Sequence, residues 1–247
     1  MNKQEYKSFC ECRDKFRAIV EDIKNTLPDL QKIQQHLIDT RDGPAYQVDT
    51  PVVYNTALDD VDESAEIRLI LVGDNPGRRE QMSENRRYLV GPSGKIAENF
   101  FKRETELMID FRKNVIILNK TPAHTPRTIE LKELCVIGGE KMKQVIDDSQ
   151  IKMARLLADF FCVLRVPVWI TGYSEMKKRG IFETYAAETQ DLIRRGDLDK
   201  NNVFLYRHFS MNQFTIDLRK KTRLDDACVA ETLRRIGTGY RRKILDV

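Results

Sequence analysis

The chain has 247 residues, of which 41% are hydrophobic and 32% charged, and its formal net charge is +4 at pH 7. This length is typical of one domain, or one domain with an extension, built around a substantial core. No apolar stretch reaches the roughly 20 residues of a membrane-spanning helix, and the polar start MNKQEYKSFCECRDK does not resemble a signal sequence, so we expect a cytoplasmic protein without membrane contact.

The cysteines and the distribution of charge indicate which structural cross-links and partners to expect. Five cysteines without an export signal argue against a disulfide framework. Cys10 and Cys12 are too close together for a zinc pair and no second pair follows, so we expect no metal. Residues 57 to 66 are acidic and residues 219 to 223 are basic, a pattern that permits a polyanionic partner.

The first 60 residues differ in pattern from the rest. Apolar residues at helical spacing on either side of Pro28 predict a helical hairpin over about the first 40 residues. Residues 41 to 65 are mixed in character and contain Gly43, Pro44 and Pro51, which is typical of an irregular connection. We assign residues 1–60 to an N-terminal helical extension and linker, and residues 61–247 to an α/β domain.

From residue 66 onward, short and nearly continuous apolar runs alternate with helical patterns. The predicted strands are IRLILVG (67–73), NVIILN (114–119), VPVWITG (166–172) and NVFLYRH (202–208). The predicted helices cover residues 93–104, 128–146, 151–164, a polar stretch within 174–195, and 224–236. This alternation predicts a three-layer α/β/α fold with a central, mainly parallel four-stranded sheet.

Polar residues follow the predicted strands. The first strand ends in Gly73-Asp74-Asn75-Pro76-Gly77, the second in Asn119, and the last in His208 and Ser210. Taken singly, these residues also suit a turn, a helix cap or a strand end. Because ligands bind at the carboxyl ends of parallel strands, their joint placement indicates an active site.

Four stretches in order carry a resemblance to a known family. VGDNPGRRE, RYLVGPSGKIAENFF, VIILNKTP and RHFSMNQ resemble the motif series of the uracil-DNA glycosylase superfamily, over about residues 66 to 236. The resemblance implies a DNA repair enzyme that flips a deaminated base out of DNA, hydrolyses its N-glycosidic bond and leaves an abasic site. It implies DNA as the partner and no cofactor.

The resemblance also implies roles for individual residues. Asp74, with Asn75 as a partner, would position the attacking water, and a neutral His208 would stabilise charge on the departing base. The carboxamide of Asn119 offers one donor and one acceptor, which match O4 and N3–H of uracil and mismatch cytosine. The further substrate-binding candidates are Gly73, Tyr88, Leu89 and Ser210.

The predicted DNA contacts lie near these motifs. The phosphate-binding candidates are Arg78, Arg79, Lys95 and Arg207, together with Ser210. Met211 and Phe214 follow His208 and are candidates for a wedge that fills the gap left by the flipped base. The alternative is that both are core residues.

The chain departs from the family pattern at several positions. Leu89 stands where a base-stacking Phe is expected, and Phe209 stands where Pro is usual. The loop combines the acid of the iron-sulfur branch with the Asn of the mismatch-directed and single-strand-selective branches. Cys135 alone is present where the iron-sulfur branch has a cysteine pair, so we expect no cluster.

Two other functions compete with the glycosylase. A catalytically silent member of the fold that binds DNA or protein is favoured by Leu89 and Phe209, and would be indicated if Asp74 and His208 did not face one cavity. A nucleotide-phosphate hydrolase would need clustered carboxylates at strand ends, which the sequence lacks. VGPSGK is not a phosphate loop, because Leu89 and Ile96 replace its required residues. The sequence predicts no oligomeric state.

Overall fold

The computed structural model describes residues 1–222 and 228–247, with Thr222 described in its backbone alone. Its centre is a sheet of four strands, Leu69–Gly73 (β1), Val115–Asn119 (β2), Val168–Thr171 (β3) and Val203–Tyr206 (β4). The order is β2-β1-β3-β4, and every pairing is parallel. All strand residues are buried, which explains their continuous apolar runs.

Helices flank this sheet in the predicted three-layer α/β/α arrangement, and the fold class is confirmed. The described helices are Lys3–Thr26 (α1), Leu30–Thr40 (α2), Pro92–Arg103 (α3), Glu130–Leu164 (α4), Glu183–Arg195 (α5), Gln213–Thr222 (α6) and Val229–Leu245 (α7). Helix α4 packs against α1, α2 and α5, and α7 packs on the edge strand β4. Of the predicted last helix, residues 224–227 lie outside the described residues.

Two helical predictions are wrong in detail. The break expected around residues 147 to 150 does not occur, because Ser149 and Gln150 find partners inside the fold: Ser149 shares a hydrogen bond with Thr121, and Gln150 donates to the Ile181 carbonyl. Helix α4 is instead kinked at Gly139, whose φ is +70°. Helix α6 was not predicted.

The N-terminal helices belong to the same hydrophobic core as the sheet. Phe9 and Phe16 on α1 are fully buried, and they pack against Phe160 on α4 and against Tyr88. The side chain of Asn55 donates to the Ile117 carbonyl of β2. The boundary drawn at residue 60 is therefore crossed by core packing and by buried hydrogen bonds.

Across residues 1–222 and 228–247, no helix combines the length and apolarity needed to cross a membrane.

Candidate functional site

The segments that follow β1, β2 and β4 line a cavity of about 540 Å³ at the carboxyl ends of these strands. Parallel register sets Gly73, the last residue of β1, beside Asn119, the last residue of β2. The segment after β4 brings His208 to the same cavity. The residues singled out in the sequence that line it are Asp74, Asn75, Arg78, Arg79, Leu89, Asn119, His208 and Ser210. Asp74 and His208 thus line one common cavity.

Asp74 is held by a buried ion pair. Lys120 Nζ lies 2.5 Å from Asp74 Oδ1, and the lysine side chain is 0% exposed. The hydroxyl of Thr128 donates to the other oxygen, Oδ2, at 3.3 Å. Because two donors hold its two oxygens, the carboxylate has a fixed orientation at the cavity wall.

Two glycines make room for these polar side chains. Gly172, at φ +76°, lies so close to Asp74 that an added Cβ would be 2.3 Å from Oδ1. At Gly73, an added Cβ would be 2.5 Å from Asn119 Oδ1. A side chain at position 172 would displace Asp74, and one at position 73 would displace Asn119. Gly73 therefore contributes to the site by leaving room for Asn119.

Asn119 carries an unsatisfied donor. The residue is 2% exposed, and its Nδ2 has no hydrogen-bond partner among the described residues. A buried amide nitrogen without a partner is unfavourable by about 1–3 kcal/mol. Since Asn119 lines the cavity, a bound molecule with an acceptor would satisfy this donor.

The partly buried His208 is set up as a neutral donor. The backbone N–H of Ser210 donates to Nδ1 at 3.1 Å, which assigns the ring proton to Nε2 in the neutral tautomer. Burial lowers the pKa of His208, Asp74 opposes this effect, and Lys120 reinforces it. At neutral pH the imidazole therefore presents Nε2–H as a donor.

Asn75 is oriented by the segment that follows β2. Its Nδ2 donates to Thr125 Oγ1 at 2.9 Å, which leaves Oδ1 to accept a hydrogen bond. The loop is also braced by His124, whose Nδ1 contacts the Pro76 carbonyl at 2.8 Å and whose Nε2 contacts Tyr46 Oη at 2.9 Å. Burial lowers the pKa of His124 to about 4, so the brace is a neutral imidazole.

Glu80 joins two loops that line the cavity. Its carboxyl accepts the backbone N–H groups of Gly77 at 3.2 Å and Leu89 at 2.9 Å. Burial raises the pKa of Glu80 to about 7. Leu89 is buried in the left-handed region at φ +52°, and its carbonyl accepts from Arg112.

Two residues predicted at the site belong to the core. Tyr88 is 1% exposed, and its hydroxyl donates to the Val53 carbonyl, away from the cavity lining. Phe214 is 3% exposed and stacks on Phe209 at 4.4 Å between ring centroids. Neither ring is free to contact a ligand, because both are enclosed by core packing.

The basic candidates lie on the surface. Arg78 and Arg79 are exposed at the cavity, and the guanidinium of Arg78 lies 4.8 Å from the centre of the Tyr46 ring. Lys95 is exposed on α3, and Arg207 is exposed and donates to Gln213. These two side chains do not line the cavity.

Met211 is an exposed apolar residue next to the cavity-lining Ser210. Its side chain is 82% exposed, and both Met211 and Asn212 adopt left-handed backbone, at φ +53° and +56°. Such conformations are unusual for residues other than glycine and occur often at functional sites. The loop after β4 therefore presents an unpacked apolar side chain to solvent beside Ser210.

Sequence reasoning assigned no role to Lys120, His124 or Glu80. Charged residues after a strand are usually solvated, and burial of these three depends on partners in other loops. Lys120 directly follows Asn119 in a strand-end motif, and this position was the one signal in the sequence that could have marked it.

Comparison with known proteins adds no relative. No model of a known protein family matches the chain. A search of curated proteins likewise finds no match. The resemblance to the uracil-DNA glycosylase superfamily therefore stays a prediction that rests on the four motifs.

Proposed function

We propose that the protein is a monofunctional DNA glycosylase that removes uracil, or a related deaminated base, from DNA and leaves an abasic site. The observation that carries this proposal is the single cavity that Asp74, Asn119 and His208 line together. A carboxylate, a carboxamide and a donating imidazole are the groups that base recognition and hydrolysis need. The four sequence motifs support the same function.

His208 would stabilise the charge that develops on the departing base. Cleavage of the glycosidic bond leaves negative charge on the base, including on O2 of uracil. A neutral Nε2–H donor meets this charge without a change in its own protonation state. Removal of such a donor lowers turnover by about 10²–10³-fold.

Asn119 would recognise the flipped base. Its unpartnered Nδ2 would donate to O4 of uracil and its Oδ1 would accept N3–H. Cytosine reverses both patterns, so a carboxamide held in this orientation would be left unpaired. A site of this kind rejects the wrong base by about 10⁴-fold.

Asp74 and Asn75 would hold the attacking water. The Asp74 carboxylate, held by Lys120 and Thr128, would orient the water and accept a proton from it as the bond to C1′ forms. The fixed Nδ2 of Asn75 leaves Oδ1 as a second acceptor. Arg78 and Arg79, at the cavity, suit the phosphates beside the flipped nucleotide, and the exposed Met211 suits the vacated stack.

The test uses labelled single- and double-stranded oligonucleotides that contain one uracil or one hypoxanthine. We expect strand breaks only after alkali treatment, because a monofunctional enzyme leaves the backbone intact. Asp74→Asn and His208→Gln should each lower the rate by at least about 10². Asn119→Ala should lose the discrimination between uracil and cytosine.

Matched controls come from exposed residues of the same types. Asp191→Asn on α5 and His36→Gln on α2 should retain full activity. If the wild-type protein cleaves no substrate, the glycosylase proposal is wrong. Retained DNA binding in that case would indicate the silent binding protein.

A further inference from the structure

Lys120 is fully buried beneath the cavity. Its three ammonium hydrogens have three acceptors: Asp74 Oδ1 at 2.5 Å, the Thr171 carbonyl at 2.5 Å, and the Gly73 carbonyl at 3.3 Å. The Phe182 ring lies 5.0 Å from Nζ. One side chain therefore joins the ends of β1 and β3 to the carboxylate at the cavity wall.

This environment excludes Lys120 as a nucleophile. An attacking amine needs a free lone pair and access to the sugar, whereas Lys120 is 0% exposed and paired with a carboxylate. Burial of two charges is also not a favourable way to stabilise a fold, since an apolar pair of similar size is often as good. A structural role alone therefore does not account for a lysine at this position.

We propose that Lys120 is a positioning residue that fixes the Asp74 carboxylate and cancels its charge, so that His208 stays neutral in the same cavity. The inference rests on the proposed function, because it assigns roles to Asp74 and His208. It adds a residue that the sequence motifs do not single out.

The charges around His208 support this role. Asp74 and Lys120 are the charged groups that act on the imidazole, and Glu175 adds a negative charge near Lys120. An unpaired Asp74 would draw a proton onto His208 and raise its pKa. Lys120 acts in the opposite direction, so the ion pair presents almost no net charge to the ring.

The positions of the acceptors support the same conclusion. Two of the three acceptors are backbone carbonyls of rigid, buried strands, so the ammonium is fixed independently of Asp74. The carboxylate is then oriented by Lys120 on one oxygen and by Thr128 on the other. A misplacement of about 1 Å at a reacting group lowers rates about 100-fold.

The first test is a titration that needs no activity. The chain has three histidines, so NMR can follow each imidazole, with assignment from His36→Gln and His208→Gln. In Lys120→Met, the His208 titration should move to higher pH. In Asp74→Asn it should move to lower pH, and the double variant Asp74→Asn/Lys120→Met should return close to wild type.

Two outcomes overturn the proposal. The first is a His208 titration that moves in neither of the two single variants. The second concerns the case in which Lys120→Met does not fold. Asp74→Asn alone must then move the His208 titration to lower pH, and the absence of that shift overturns the proposal. Lys102→Met, which removes an exposed cation paired with Glu98, is the matched control and should leave His208 unchanged.

The second test is the pH profile of base excision. Lys120→Met should lower turnover about 100-fold and move the acid limb of the profile to higher pH. A simple loss of folded protein would lower the amplitude without moving this limb. If the wild-type protein is inactive, the glycosylase proposal is wrong. If it is active but the acid limb of the pH profile does not move in Lys120→Met, the proposed role of Lys120 is wrong.

Discussion

The two sides of the cavity are held by different forces. The polar wall, formed by residues 74–80 and held by Lys120 and His124, depends on directional hydrogen bonds and one buried ion pair. The aromatic wall, formed by the core residues Phe209 and Phe214 behind the cavity-lining residues His208 and Ser210, depends on ring packing. Directional contacts fix individual atoms and respond to pH, whereas apolar packing anchors a loop and leaves its tip free.

The largest expected effect is on the aromatic wall. Phe209 is fully buried against Phe100 and Phe214, so Phe209→Ala should lower the free energy of unfolding by about 3–5 kcal/mol. Denaturant titration measures this loss. Ile216→Ala, at a residue of the adjoining helix that is 42% exposed, is the control. Equal losses in both variants would contradict a tightly packed anchor.

The next two effects concern the dependence of stability on pH, which we expect to arise from the polar wall and not from the aromatic wall. Glu80 has its pKa raised to about 7, so the folded state holds its proton longer than the unfolded state. Stability from this group should fall as pH rises from about 4.3 to 7, by about 3 kcal/mol. Glu80→Gln should flatten that part of a plot of unfolding free energy against pH.

His124 should give the opposite slope. Its pKa is lowered to about 4, so the unfolded state binds a proton first as pH falls. Stability should decrease from about pH 6.5 to 4, again by about 3 kcal/mol. His124→Gln should remove this decrease, while Phe209→Ala should keep both slopes. A single slope common to all variants would disprove the assignment of these pH effects to the polar wall.

A smaller effect is expected at Gly172. Its left-handed backbone and its closeness to Asp74 make Gly172→Ala unfavourable by about 1–2 kcal/mol. Under the proposed function, the rate of base excision should fall by more than the loss of folded protein accounts for, because the new Cβ displaces the Asp74 carboxylate. Gly196→Ala is the control, since Gly196 has φ +84° with open space around it and is remote from the cavity lining. An equal loss of rate in both variants would show that backbone strain alone is responsible.

The smallest effect on stability is expected at Met211. Because its side chain is 82% exposed, Met211→Ala should change the free energy of unfolding by less than about 0.5 kcal/mol. Its effect should appear in binding to double-stranded DNA, measured by fluorescence anisotropy, if the side chain enters the stack. Unchanged DNA binding would remove Met211 from the proposed contacts.

The sequence predicted the sheet well because strands buried on both faces have a continuous apolar pattern. It also predicted which polar groups end the strands, since parallel order alone brings Asp74, Asn119 and His208 to one edge. It could not predict the burial of Lys120, which depends on carbonyls of two other strands. It could not place the candidates Tyr88 and Phe214, which are buried in the core, because a sequence motif does not show whether a neighbouring aromatic residue faces a ligand or the core.

The strand order has a consequence for how the protein folds. The central strand β1 pairs with β2 and β3, so its partners lie about 46 and 98 residues along the chain, and Tyr46 must also reach His124. Such distant pairings form late and slowly. We therefore expect the cavity to be completed late in folding, and a fragment without the first 60 residues would lack both the Tyr46 partner of His124 and the core packing of Phe9 and Phe16.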